Sequence, residues 1–219
     1  EGIARAGTGE LPAARAEPPT ALPGTLPVVA GHPGARPRGD TPRRRRLPVL
    51  RGARLRVAVF SDVQGNAPAM EAAVEHIRRW TPDVVIMAGD LINRGPSSGD
   101  CLARFQALRD GEGWLPIRGN HEDWVLRCGR EPPGGELEAD MRRFADFASH
   151  QIAPLGRELS DWPHHLALEG RGGNAWVHVT HGTLAGNRDG ISPGVADRDL
   201  CGRVPEDVAV FVTAHTHKP

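Results

Sequence analysis

The chain has 219 residues, enough for one domain with room for an appendage. Its 27 Lys and Arg balance 27 Asp and Glu, which argues against a role built on bulk charge at nucleic acid or a membrane surface. It holds no run of 18 apolar residues, so no transmembrane helix is predicted.

The first residues, Glu1 to Arg5, lack the apolar core of a signal peptide. Cys101, Cys128 and Cys201 are odd in number and far apart. That pattern fits free thiols in a reducing compartment better than a disulfide framework, and predicts a cytoplasmic protein.

The charge balance conceals two unlike parts. Residues 1–54 hold 10 Arg against 4 acidic residues, a net of about +6, with 9 Pro and 8 Gly. Nothing there keeps a period of 2 or 3.6, so this Pro/Gly/Arg-rich tail is predicted to be disordered. Arg43 to Arg46 read most simply as a solvated charge run, with a phosphate-contacting arm as the sharper alternative. No aromatic residue interleaves with them, which weakens single-strand stacking; nucleic acid is expected, if at all, as a substrate only. Residues 55–219 carry 17 basic and 23 acidic residues, a net of about −6, and form the folded part.

That part opens with Leu55–Phe60, a run of β-formers leading into Ser61-Asp62-Val63-Gln64. Pro68 fits the first turn of a helix, and Met70, Ala73, Val74 and Ile77 give it one apolar face. Asp83–Ala88 is near-continuously apolar, as a strand buried on both faces should be, and ends in Gly89-Asp90. Cys101, Leu102, Phe105 and Leu108 predict a second helix; Trp114–Ile117 is a short strand leading to Arg118-Gly119-Asn120-His121. Residues 122–170 read as a helical cap broken at Pro132-Pro133-Gly134-Gly135. Trp176–Thr180 and Val208–Thr213 are the last strands, ending at His181-Gly182 and His215-Thr216-His217.

Strands alternating with helices predict βαβ units and a mainly parallel α/β sheet. Ligands of such sheets bind at the carboxyl ends of strands. Five predicted strands end in Asp62, Asp90, Asn120, His181 and His215, and the first three steps between them are 28, 30 and 61 residues. A βαβ unit takes roughly 30; the long step contains the cap. With Gln64 and His217, seven metal-competent side chains reach one rim. Mixed oxygen and nitrogen donors suit Mn²⁺, Fe or Zn²⁺ better than Ca²⁺, and seven exceed what one ion needs. Two ions sharing a carboxylate would activate a water and clamp both oxygens of an in-line displacement at phosphorus. Helix capping by Asp62, Asp90 and Asn120 is the bland alternative. Ser61 has no elbow or oxyanion loop around it, so it forms no nucleophilic triad.

The ordered motifs Gly89-Asp90, Gly119-Asn120-His121-Glu122, His181-Gly182 and His215-Thr216-His217 resemble those of the calcineurin-like metallophosphoesterase superfamily. Asp90-Leu91-Ile92-Asn93-Arg94-Gly95-Pro96 and Arg118 to Glu122 are similar to its protein-phosphatase-like branch. The resemblance implies a layered sheet fold over about 57–219, and a phosphate-ester substrate hydrolysed by a metal-bound hydroxide. It implies that Asp62, Gln64 and His217 hold one ion, that Asp90 bridges, and that Asn120, His181 and His215 hold the other. It makes His121 the catalytic group over the phosphate, with Arg94 and Arg118 as phosphate clamps. Gln64 stands where the family usually has His, which favours Mn²⁺. Asn93 stands where the phosphatase branch has Asp, so His121 lacks an orienting carboxylate unless Glu122 or Asp123 supplies one. Small bacterial phosphodiesterases of the superfamily also carry Asn there. The expected substrates are therefore phosphodiesters or nucleotides, ahead of phosphomonoesters or phosphoproteins; a non-catalytic binding module of the same fold is the rival. The family continues past its last His-x-His, so the domain is expected to lack its closing C-terminal strands.

Overall fold

A computed structural model of the chain describes residues 25–31, 45–48, 55–128, 133–153, 155–169 and 175–218. Among these, the strands are β1 (Thr25–Gly31), β2 (Arg45–Pro48), β3 (Val57–Phe60), β4 (Val84–Ala88), β5 (Leu115–Ile117), β6 (His165–Glu169), β7 (Ala175–Thr180) and β8 (Val210–Val212). The helices are α1 (Ala67–Trp80), α2 (Ser98–Glu112), α3 (Asn120–Arg127) and α4 (Glu136–Ile152), with short 3₁₀ turns at Gly156–Asp161 and Asp197–Leu200.

The strands form two sheets, the layered arrangement that the family resemblance implies, where strand–helix alternation alone predicts one. β3, β4 and β5 make a three-stranded parallel sheet; the second has the order β2-β1-β6-β7-β8. In the second, only β7 and β8 run parallel, and the other pairs are antiparallel. The two pack face to face because β4 is buried at every position. Alternation sends Val84, Ile86 and Ala88 to one side, against Leu166, Leu168, Val177 and Val179 of the second sheet. Val85 and Met87 face the other way, into a core with Met70 and Val74 of α1 and Leu102 and Phe105 of α2. The result is a helix–sheet–sheet stack with β4 at its centre.

The predicted helices form where the apolar period places them. Asn66 caps α1 by accepting from the Ala69 N–H at 3.1 Å. Cys101, Leu102, Phe105 and Leu108 are all buried on α2. Trp114 and Trp162 are core residues, edge-on to Phe60 and Phe105 at 5.7 and 5.5 Å.

Two regions differ from expectation. Within the tail predicted to be disordered, residues 25–31 and 45–48 form β1 and β2, with β1 paired along the edge of β6 from Val28↔Leu168 to Gly31↔His165. An open sheet edge is a template for backbone pairing whatever the side-chain composition. The remainder of 1–54, including Arg43 and Arg44, lies outside the described residues. The cap at 122–170 is helical through α3, α4 and the 3₁₀ turn, but its end is strand β6, whose alternating Leu166 and Leu168 are buried.

Candidate metal centre

Beyond the last residues of β3 and β4 the parallel ladder continues into the loops. The Asp62 N–H donates to Gly89, Gln64 to Asp90 and Gly65 to Leu91, at 3.1, 2.9 and 2.9 Å. The Ser61 hydroxyl adds bonds to the Ala88 and Gly89 carbonyls. In the second sheet, Ala214 N–H donates to the His181 carbonyl at 2.9 Å. Because the two sheets stack, both sets of loops reach the same rim. Asp62, Gln64, Asp90, Asn93, Arg94, His215 and His217 all adopt positive φ, between 49° and 77°. Left-handed backbone is costly for residues with a Cβ and concentrates at functional sites.

Asp90 is the centre of the arrangement and 1 % exposed. Its Oδ2 lies 3.2 Å from His181 Nε2 and 3.6 Å from His121 Nε2; its Oδ1 accepts the His121 backbone N–H at 2.9 Å. Ligand atoms of Asp90, His181 and His215 all lie within 4.8 Å of one another. Asn120 Oδ1 is 3.0 Å from His181 Nε2. On the other flank, His217 Nε2 lies 3.0 Å from Asp62 Oδ1 and 3.2 Å from the Gln64 amide. The structure thus groups Asn120, His181 and His215 with Asp90, and Asp62 and Gln64 with His217; the His215 N–H, 3.3 Å from Asp62 Oδ2, links the two groups. None of Asp62, Asp90 and Asn120 is a helix cap: those positions belong to Asn66, Ser97 and Gly119.

The donor chemistry fits a cation. His181 Nδ1 sits 2.9 Å from the Ala88 carbonyl, which can only accept, so Nδ1 carries the hydrogen. Neutral His181 then turns the Nε2 lone pair toward two more lone-pair atoms, Asp90 Oδ2 and Asn120 Oδ1. Three acceptors converging in a buried space repel unless a positive charge lies among them. Burial pushes His181 down, yet the Asp90 carboxylate overrides it and raises the imidazole to about 9, a proton answering the same demand. Burial likewise opposes the Asp90 charge, and His181 and His121 hold it below the usual carboxylate range.

His121 is 3 % exposed. Its Nδ1 lies 2.8 Å from Asn93 Nδ2, while Asn93 Oδ1 accepts the Arg94 N–H at 2.8 Å. That second bond fixes which end of the amide faces the ring. Asn93 therefore donates to Nδ1, and neutral His121 keeps its hydrogen on Nε2, facing the rim. Burial lowers the His121 pKa; Asp90 pulls it back up and Arg94 adds to the lowering.

Neither neighbouring acid orients His121. Asp123 pairs with Arg118 at 3.0 Å and accepts from Asn187 at 2.6 Å. Glu122 is fully buried and accepts four backbone N–H groups: Gly119 and Asp90 on Oε2, Leu91 and Ile92 on Oε1, at 2.8 to 3.2 Å. Burial pushes its carboxyl up to about 7, but four donors leave no acceptor for a carboxyl proton, so the geometry holds the carboxylate. Glu122 ties the Asp90 loop to the start of α3, and so sets Asp90 against Asn120. Its sequence signal is the third helical position, from which a Glu reaches back to the cap.

The two arginines part company. Arg94 is exposed at the rim. Arg118 is engaged by Asp123, by the Ser160 carbonyl at 2.9 Å and by His164 at 2.5 Å, bracing α3 against the 3₁₀ turn. Gly119 gives the carboxylate room: its φ is ordinary, but a Cβ there would collide with Asp90. His178 points away from the rim and faces His165 at 3.2 Å.

Stacked sheets with carboxylates and imidazoles gathered at their loop ends define a metal-dependent phosphoesterase type of fold and site. The family model for calcineurin-like phosphoesterases matches residues 55–219, and the chain belongs to that family. Among curated relatives, the symmetrical bis(5'-nucleosyl)-tetraphosphatase of Paracidovorax citrulli is 31% identical over 121 residues, covering 50% of this chain and 40% of the relative. The protein of the same name from Nitrosococcus oceani is 26% identical over 155 residues, covering 69% and 50%. The chain thus spans about half or less of the length of these relatives. Among solved structures, a metallophosphoesterase from Sphaerobacter thermophilus aligns with TM-score 0.55 at 22% identity, covering 75% of this chain and 62% of its own. A hypothetical protein from Pyrococcus horikoshii OT3 gives 0.52 at 20%, covering 65% and 61%. These two similarities bear on the fold alone.

Proposed function

We propose that this chain is a binuclear-metal phosphoesterase acting on phosphodiester or nucleotide substrates. The tetraphosphatases among its relatives favour nucleotides carrying several phosphates. Residues 55–219 would carry the activity, with 122–170 as the cap. Asp62, Gln64 and His217 would hold one divalent ion, and Asn120, His181 and His215 the other, with Asp90 shared. Mn²⁺ suits the neutral Gln64 amide. Such ions, when bound, supply an activated water near neutral pH and neutralise phosphate charge.

The chain's own residues would do the rest. His121, held neutral with its hydrogen on Nε2, would donate to a phosphate oxygen or the leaving oxygen. Arg94 would meet a non-reacting oxygen, and Glu122 would keep Asp90 and Asn120 in register. Arg118 is better read as a brace than as a clamp. The observation that carries this reading is the convergence of His181 Nε2, Asn120 Oδ1 and His215 on Asp90, with His121 Nε2 3.6 Å away. No helix among the described residues is long and apolar enough to cross a membrane. The described cysteines are unpaired, which supports a cytoplasmic setting.

Hydrolysis of bis-p-nitrophenyl phosphate, p-nitrophenyl phosphate and diadenosine tetraphosphate, each with Mn²⁺, with EDTA and with His121→Ala, tests the reading. We expect Mn²⁺-dependent turnover, faster on the diester than on the monoester, and reduced roughly 10²–10⁴-fold in His121→Ala. A faster monoester reaction would favour a phosphomonoesterase. No turnover on any of the three by folded, Mn²⁺-loaded protein would favour the binding module, for which the 48 % exposed His217 side chain and neutral Gln64 already argue weak loading at one flank.

A further inference from the structure

A cavity of about 110 Å³ opens between α3, α4 and the loop at Arg188, lined by Trp124, Arg127, Cys128, Glu138, Arg142 and Arg188. Three guanidinium groups line it against one carboxylate, and Glu138 accepts the Gly134 N–H at 2.7 Å. None of the three arginines forms an ion pair among the described residues, whereas Arg56, Arg78, Arg104, Arg118 and Arg203 each do. Arg142 also bonds Cys128, which bonds Asp146, and Arg127 and Arg188 are exposed; three guanidinium groups against Glu138 still leave the lining net positive, which attracts an anion. The Arg188 guanidinium lies 5.3 Å from the Trp124 ring centre, a cation–π placement. The Trp124 indole N–H is buried and has no acceptor among the described residues.

The cavity adjoins the metal centre. The Trp124 and His121 rings are 6.2 Å apart, and the Arg188 carbonyl accepts from His215. A ligand reaching from Asp90 past His121 therefore meets Trp124 first and the arginines next. We propose that this cavity is a subsite for the phosphates beyond the scissile one, so that the substrate is a nucleoside polyphosphate rather than a simple diester. This inference rests on the nucleotide reading above. Guanidinium forks match phosphate oxygens bidentately, and three of them call for more than one phosphate.

The test is equilibrium binding of inorganic tripolyphosphate to the full chain in excess EDTA, by calorimetry. It needs no turnover, so failure of the hydrolase reading leaves its outcome intact. Arg142→Ala and Arg127→Ala should each weaken binding roughly 10-fold, the effect of one charge-assisted contact. Arg142→Lys should recover part of the loss, and the remaining affinity should fall with added salt. In the Mn²⁺-loaded protein, Arg142→Ala should raise the KM for diadenosine tetraphosphate far more than that for bis-p-nitrophenyl phosphate. Absence of tripolyphosphate binding would overturn the proposal. So would affinity lost in Arg94→Ala but retained in Arg127→Ala and Arg142→Ala, or an equal KM change for both substrates.

Discussion

Asn93→Asp isolates what the amide does to His121. Asn93 is fully buried, and its Nδ2 lies 2.8 Å from His121 Nδ1. Aspartate keeps the shape and the bond from the Arg94 N–H, but replaces a donor with a charged acceptor. At that distance an imidazolium and a carboxylate attract by about 6 kcal/mol with an effective dielectric constant of about 20. Burying the new carboxylate costs several kcal/mol of stability whichever form His121 takes, and an opposite charge this close raises the His121 pKa by about 1–3 units. In the parent, burial keeps His121 below its ordinary value and neutral at pH 7, with its hydrogen on Nε2. In the variant the hydrogen moves to Nδ1, and the imidazolium should persist into the neutral range. NMR titration of the histidine Cε1–H resonances in Zn²⁺-loaded protein, with His121→Ala for assignment, measures the midpoint directly. A midpoint within about half a unit of the parent would refute the placement of the residue 93 side chain against His121 Nδ1.

Three further outcomes follow from particular contacts. Burial, then His165 at 3.2 Å, depress His178 to about 4 from 6.5. The unfolded chain thus binds more protons between those values, and stability should fall by up to about 3 kcal/mol as pH drops through that window; His178→Leu should flatten this slope in urea unfolding. Gly119→Ala should cost about 1–3 kcal/mol by crowding Asp90 and lower bound Mn²⁺ per chain, read by elemental analysis; unchanged metal content would contradict the placement of Asp90 at the shared position. Glu122→Gln turns one oxygen toward two N–H donors into an NH₂ group; each stranded donor costs about 1–3 kcal/mol, so Mn²⁺ affinity and melting temperature should fall together.

Much of the site was legible because it depends on local order. β-formers followed by Asp62, Asp90, Asn120, His181 and His215 mark strand ends, and strand ends of an α/β fold share a rim. The apolar periods of α1 and α2 were equally readable, since burial of one helix face is written in spacing. β6 was half legible: Leu166 and Leu168 alternate, but five residues after a helical stretch compete poorly with the helix reading. The pairing of β1 with β6 and the division into two sheets had no local signal, because an edge recruits a distant strand through backbone groups that every residue carries.

The roles of individual polar side chains divide in the same way. Which residue types reach the rim, and through them the family, was written in local order. Packing set the rest: Glu122 serves four backbone N–H groups rather than His121, Arg118 is engaged by Asp123, Ser160 and His164, and Arg127, Arg142 and Arg188 share a cavity with Trp124. Those outcomes turn on which charges approach within 3 to 5 Å. Such distances are set by packing between elements remote in the chain.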